Sequence, residues 1–165
     1  MSGTRWLDEQ QQSAWRGLMA MHSALRCELA RRLAAESDLS YQDYEVLVTL
    51  TDQPDGRRRV MELAEILGWE KSRLSHHVTR MTKRGLVTKE LCTEDRRGFV
   101  VVVTDRGRSE IEAAAPGHVE AVRDLFIDRL SPAQLEAMIG IARDVLAQFD
   151  NEEQCASKDR SRPDV

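Results

Sequence analysis

Apolar side chains recur three and four apart at Trp15, Leu18, His22 (semi-apolar), Leu25 and Leu29, with Met19, Met21 and Leu33 beside them. That spacing draws one stripe down a helix, predicted over residues 7–35, with a seam able to pack on another helix. Ser40-Tyr41-Gln42-Asp43 has the form of a capping box with Asp in place of Glu, and opens a second helix through about Thr51. Its apolar face is Tyr44, Leu47, Val48 and Leu50. Gln53-Pro54-Asp55-Gly56 reads as a turn, and Arg57, Arg58 and Arg59 as a short strand.

From Val60 the pattern becomes a short helix, a tight turn at Gly68 and a second helix. Leu74, Val78 and Met81 recur at i, i+4 and i+7 and define that second helix's buried stripe. At about 100° per residue, Ser72, Ser75, His76, Thr79, Arg80 and Lys83 fall on the opposite side, with Arg73 flanking and Lys71 at the start. Ala64 suits a close helix–helix approach, and Gly85 suits a left-handed helix end. Residues 86–91 and 99–103 read as two strands, joined across Asp95-Arg96-Arg97-Gly98. A further helix starts at Thr104. Pro116-Gly117 is expected to break it, because proline removes an amide and clashes with the preceding turn, and helix is expected to resume over residues 118–130. Ser131-Pro132 is a cap followed by proline at the first helical position, opening a last helix to about Phe149. Residues 151–165 have little to bury and are expected to be disordered.

Charge sharpens this picture. The chain of 165 residues is 41% hydrophobic and 32% charged, with a formal net charge of −4. Residues 57–108 carry 13 Lys and Arg against 7 Asp and Glu, a net of +6, while the remainder carries 11 against 21, a net of −10. A basic middle between acidic flanks presents one surface to phosphate. No apolar run approaches the ~20 residues that cross a bilayer, and no signal peptide is evident, so the cytoplasm is the expected compartment and no membrane partner is expected. Cys27, Cys92 and Cys155 cannot all pair and follow no metal-ligand spacing. A reactive thiol needs an electropositive, accessible setting, which singles out Cys92 near Arg96 and Arg97.

Hydroxyls and cations on an exposed helix face are what major-groove reading requires: short donors reach base edges, and arginine pairs with guanine in a bidentate way. Lys71, Ser72, Arg73, Ser75, His76, Thr79, Arg80 and Lys83 are therefore the expected DNA contacts. Arg96 and Arg97 at a hairpin tip suit the minor groove, whose narrow A·T-rich stretches attract arginine, and Asp95 suits a local partner that orients one of them. Glu62-Leu63-Ala64, Ser72-Arg73-Leu74-Ser75, Arg84-Gly85-Leu86-Val87, Asp95-Arg96-Arg97, and Thr104 with Gly107 follow one another in an order and spacing that resembles the MarR family of bacterial transcriptional regulators, over nearly all of residues 7–149. The resemblance implies a mainly α protein with a small β wing, a winged helix-turn-helix with N- and C-terminal dimerisation helices. It divides the chain into a dimerisation helix (1–36), a winged DNA-binding domain (37–104), C-terminal dimerisation helices (105–150) and a tail (151–165). It also implies a triangular homodimer on a pseudo-palindromic double-stranded DNA operator, usually as a repressor released by a small aromatic ligand. An uninterrupted fifth helix is the family pattern, from which the Pro116-Gly117 break would depart.

The flanking apolar stripes, which a small winged helix could not cover alone, independently favour a homodimer, with Leu125, Phe126, Leu130, Leu135, Met138, Ile139, Ile141 and Leu146 as core and interface candidates. For a small-molecule effector, the candidate lining is Trp15, His22, Tyr44, Arg58 and Arg59, a stacking face with cations for an anion. Some relatives respond to purines through a tryptophan in the first helix, which Trp15 would match. Cys27 lies too far inside its helix to match the family's peroxide-sensing cysteine. No cofactor is expected, and no enzyme: His22, His76, His77 and His118 sit in no metal, nucleophile or phosphate-loop motif. The competing readings are a thiol redox-responsive regulator and a winged helix used for protein–protein contact.

Overall fold

The computed structural model describes residues 3–91 and 98–159, with side chains through residue 149. Two compact units divide at Val122/Arg123. In the first, α1 (Glu9–Glu36) is followed by α2 (Tyr41–Thr51), β1 (Arg57–Arg59), α3 (Val60–Leu67), α4 (Lys71–Lys83), β2 (Val87–Leu91), β3 (Phe99–Val103) and most of α5 (Asp105–Leu125). The second holds the end of α5, a 3-10 turn over Ile127–Arg129, and α6 (Pro132–Asp159). This is the expected mainly helical chain with a small antiparallel sheet, ordered β1-β3-β2. β3, the valine run, takes the centre: Arg58 pairs with Val101 on one side and Lys89 pairs with Val101 on the other.

Local chemistry accounts for the element ends. Ser40 accepts from the Asp43 amide at 3.1 Å, and Asp43 accepts from the Ser40 amide at 3.0 Å, completing the expected capping box. Asp8 and Gln11 do the same for α1. Gly68 ends α3 at φ 62° and Gly85 follows α4 at φ 73°, a left-handed backbone that a Cβ disfavours. Ser131 caps α6, with Pro132 in its first turn.

The core of the first unit joins α2, α3, α4 and the sheet. Leu39, Val46, Leu47, Leu50, Leu63, Leu74, Val78, Met81, Leu86, Val87 and Val101 are all essentially inaccessible. Burying each such side chain stabilises by about 1.5–3 kcal/mol. Leu74, Val78 and Met81 are the stripe read from periodicity. Val46, absent from the expected face of α2, is as buried as Leu47.

Several expectations about the C-terminal third fail. Pro116 does not break its helix, since α5 runs unbroken through it from Asp105 to Leu125. Proline forfeits its own amide bond, but a helix of 21 residues keeps its other bonds. Gly117 next to it faces the Glu36 carboxylate of α1, the free end of an exposed side chain that can move aside. After Leu125 the chain does not continue as helix to residue 130 but passes through the 3-10 turn, where Asp128 pairs with Arg123 at 2.8 Å and Arg129 with Asp124 at 3.2 Å. The last helix also passes its expected end at Phe149 and reaches Asp159, so residues 151–159 are helical rather than disordered. Nothing between 150 and 159 is proline or glycine, and without a stop signal a formed helix propagates at little cost.

Candidate nucleic-acid interface

α3, the turn at Gly68 and α4 form the helix-turn-helix. Trp69, buried at the turn, receives the edge of the His77 ring at 5.4 Å and carries the Arg73 guanidinium on its face at 4.7 Å. Arg73 is thereby held at the mouth of α4 by a cation–π contact. Lys71, Ser72, Arg73, Ser75, His76, Thr79, Arg80 and Lys83 are all exposed, so the structure gathers on one helix every polar residue that periodicity assigned there.

β2 contributes a residue that the sequence reading omitted. Lys89 donates to Thr79 Oγ1 at 2.8 Å, while the Thr79 hydroxyl donates to the Ser75 carbonyl at 2.8 Å. This chain brings a wing-strand cation against the middle of α4. Lys71, Ser75 and Lys89 line one cleft with Arg59, Met61 and Phe99. The only sequence signal for Lys89 was its place in a strand following the helix. Asp95, Arg96, Arg97 and Cys92 lie outside the described residues.

Behind the exposed face sits a buried charge. Asp43, 2% exposed, takes Arg84 Nη1 at 2.6 Å, the Ser40 amide at 3.0 Å, and His77 Nε2 at 3.0 Å, this last contact falling short of good hydrogen-bond alignment. Burial alone would raise its pKa; the contacts with His77, Ser40 and Arg84 outweigh it and hold the carboxyl well below the usual range. Arg84 also donates to the Asp38 carbonyl at 2.7 Å. The C-terminal end of α4 is thus tied to the start of α2.

The effector candidates are scattered by comparison. Trp15 is 56% exposed and His22 is exposed, both on α1. Tyr44 is buried, its ring 4.3 Å from that of His118, whose pKa burial lowers. Arg58 spends its Nε on the Thr49 carbonyl at 2.9 Å, and Arg59 lies in the cleft beside α4. Cys27 is exposed on α1. Among the described residues no group of three or more His, Cys, Asp or Glu is placed to hold a metal, and no helix is long and apolar enough to cross a membrane.

The sequence profile of the MarR family matches residues 37–98, which span α2 to the start of β3. The chain is 31% identical over 109 residues to the transcriptional regulator HosA of Escherichia coli O157:H7, covering 66% of this chain and 78% of that protein. Its fold superposes on AbsC, a MarR family transcriptional regulator from Streptomyces coelicolor, with a TM-score of 0.82 and 36% identity, over 90% of this chain and 99% of that one. The chain belongs to the MarR family. Sco3205, another MarR family regulator from Streptomyces coelicolor, solved in complex with DNA, matches with a TM-score of 0.81 and 37% identity over 88% of this chain and 91% of its own. As a MarR family member the protein is a DNA-binding transcriptional regulator, not an enzyme.

Proposed function

We propose that the protein is a homodimeric repressor that binds a pseudo-palindromic operator and is released by a small aromatic or anionic ligand. The observation that carries the operator reading is the exposed face of α4, where hydroxyls and cations stand together on a helix whose other face is locked into the core. Ser72, Arg73, Ser75 and His76, in the first half of α4, would meet base edges; Lys71, Thr79, Arg80 and Lys83 would meet phosphates and sugars; Arg96 and Arg97, oriented by Asp95, would enter the minor groove.

The homodimer rests on apolar surface. Ile139, Ile141, Leu146 and Phe149 of α6 are 62%, 61%, 59% and 54% exposed, and Trp15 and Leu18 of α1 are 56% and 45% exposed. Apolar area on this scale marks an association surface. A two-fold dimer would set two copies of α4 about one DNA turn apart. Effector capture would fall to Trp15 and His22, both exposed, with Tyr44, Arg58 and Arg59.

Selection of bound duplexes from a randomised pool at near-physiological salt tests the reading, because non-specific binding is salt-sensitive. Recovery of a pseudo-palindrome with half-sites about one turn apart supports it; a pool without enrichment counts against it. Arg97→Ala should weaken DNA binding without altering thermal unfolding. Unchanged affinity would point to protein–protein use of the wing.

A further inference from the structure

His77 occupies the buried stripe of α4 beside Leu74, Val78 and Met81, an unusual position for an imidazole. Its two ring nitrogens face opposite partners: Nε2 stands 3.0 Å from Asp43 Oδ1, and Nδ1 stands 2.8 Å from Arg80 Nη2. A guanidinium can only donate, so Nδ1 must accept and the ring proton must sit on Nε2, facing the carboxylate. Arg80 therefore sets the tautomer, and it turns the ring N–H toward Asp43 without completing a well-aligned bond there. Asp43 is itself immobilised by Ser40 and Arg84, and the ring is braced against Trp69.

We propose that His77 is a positioning residue for DNA binding: oriented by Asp43, its neutral ring holds Arg80 in the conformation in which the remaining guanidinium donors meet a DNA phosphate. The inference rests on α4 being the DNA-reading helix. Arg80 lies in the last turn of α4, away from the N-terminal residues that reach base edges in helix-turn-helix complexes, so its partner is the backbone rather than a base. One of its five N–H groups is bound to a neutral acceptor, which leaves its charge uncompensated there and four donors for phosphate. An unrestrained arginine would have to surrender its rotamer freedom on binding; a side chain held by the ring has already done so. The Asp43–His77–Arg80 chain thus transmits order from the core to the protein–DNA boundary.

The experiment compares DNA affinity and its salt dependence for the full chain, its variants Arg80→Ala, His77→Phe and His77→Gln, and the Arg80→Ala/His77→Phe double variant. Unfolding curves measured alongside restrict the comparison to folded protein. Arg80→Ala should weaken binding about three- to tenfold on any duplex and reduce the salt slope by about 1. His77→Phe keeps a ring against Trp69 but accepts nothing, and should lose most of the same affinity. The double variant should lose no more than Arg80→Ala alone, whereas His77→Gln, whose amide oxygen can accept, should recover much of the loss. Additive losses, or a folded His77→Phe that binds like the unaltered protein, would overturn the relay. An Arg80→Ala that binds normally removes Arg80 from the interface and overturns it at that step, while absence of salt-dependent DNA binding by the unaltered protein strikes down the reading of α4 itself. Nitrogen-15 NMR of the unaltered protein decides the tautomer without any substitution: an Nε2–H ring with an accepting Nδ1 is expected, and an Nδ1–H ring would refute the arrangement.

Discussion

Replacing Asp43 tests whether a buried carboxylate strengthens or weakens this fold. Asp43→Ala strips the Ser40 amide of its partner, about 1 kcal/mol by analogy with other caps. It removes the carboxylate that faces the buried, imperfectly aligned His77 N–H, about 1 kcal/mol. The Arg84 pair adds less, because that side chain is 41% exposed and water screens it; about 0.5–1 kcal/mol is appropriate. The total is about 3 kcal/mol, which lowers the melting temperature of a chain this size by roughly 6–12 °C. Asp43→Asn retains the volume and one acceptor and should cost about half as much. The sign can be checked with pH. The folded carboxyl titrates below its ordinary 3.8, so its contribution is present above that value and fades as pH falls through it toward the folded pKa. The stability gap between the unaltered protein and Asp43→Asn should therefore be constant from about pH 7 to 5 and narrow below about pH 4. Chemical denaturation at fixed protein concentration measures both quantities. Equal or greater stability of Asp43→Asn at neutral pH would mean that desolvation of the carboxylate exceeds its three contacts, as happens for some buried ion pairs, and would refute the reasoning.

Gly107→Ala should destabilise by about 3 kcal/mol, because the new Cβ would strike the Leu86 carbonyl oxygen and stand 3.1 Å from Val103 Cγ2, both held in the core; thermal unfolding is the check. His118 is half-buried against Tyr44 with its pKa lowered from 6.5, so its neutral form suits the fold, and its share of stability is complete above that pH and declines as pH falls below it. His118→Phe should flatten stability below about pH 6.5 relative to the unaltered protein, measured by denaturant titration. Ile139→Glu combined with Leu146→Glu should shift sedimentation toward the monomer, since both side chains lie largely exposed on α6.

The helix-turn-helix was legible because its signals are local. Leu74, Val78 and Met81 declare a stripe, Gly68 and Gly85 mark the ends, and Ser40 with Asp43 declares a cap. What was missed depends on residues far apart in sequence. Asp43 was read as a capping residue alone, yet its partners Arg84 and His77 lie 41 and 34 positions away. A signal existed: Asp43 falls on the same face as Val46, Leu47 and Leu50, and a carboxylate on an apolar stripe requires a buried partner. Lys89 could be placed beside Thr79 only once the pairing of β2 with β3 was known. Pro116 runs against expectation because proline usually ends a helix, whereas α5 gives up one amide bond there and continues.

The burial of two polar groups behind α4 follows from what the helix has to do. Leu74, Val78 and Met81 supply most of the driving force for docking, but apolar contact is non-directional and tolerates small rotations. A turn of α4 by one residue, about 100°, would replace the face carrying Ser72, Ser75 and His76 with another. His77 and Arg84 make that rotation costly, since each would leave Asp43 unpaired in a site only 2% exposed. The tie also reaches back to the Ser40 cap, so the start of α2 and the azimuth of α4 are set by the same carboxylate. Stability is then the smaller part of what Asp43 contributes; the larger part is one orientation of the helix that meets DNA.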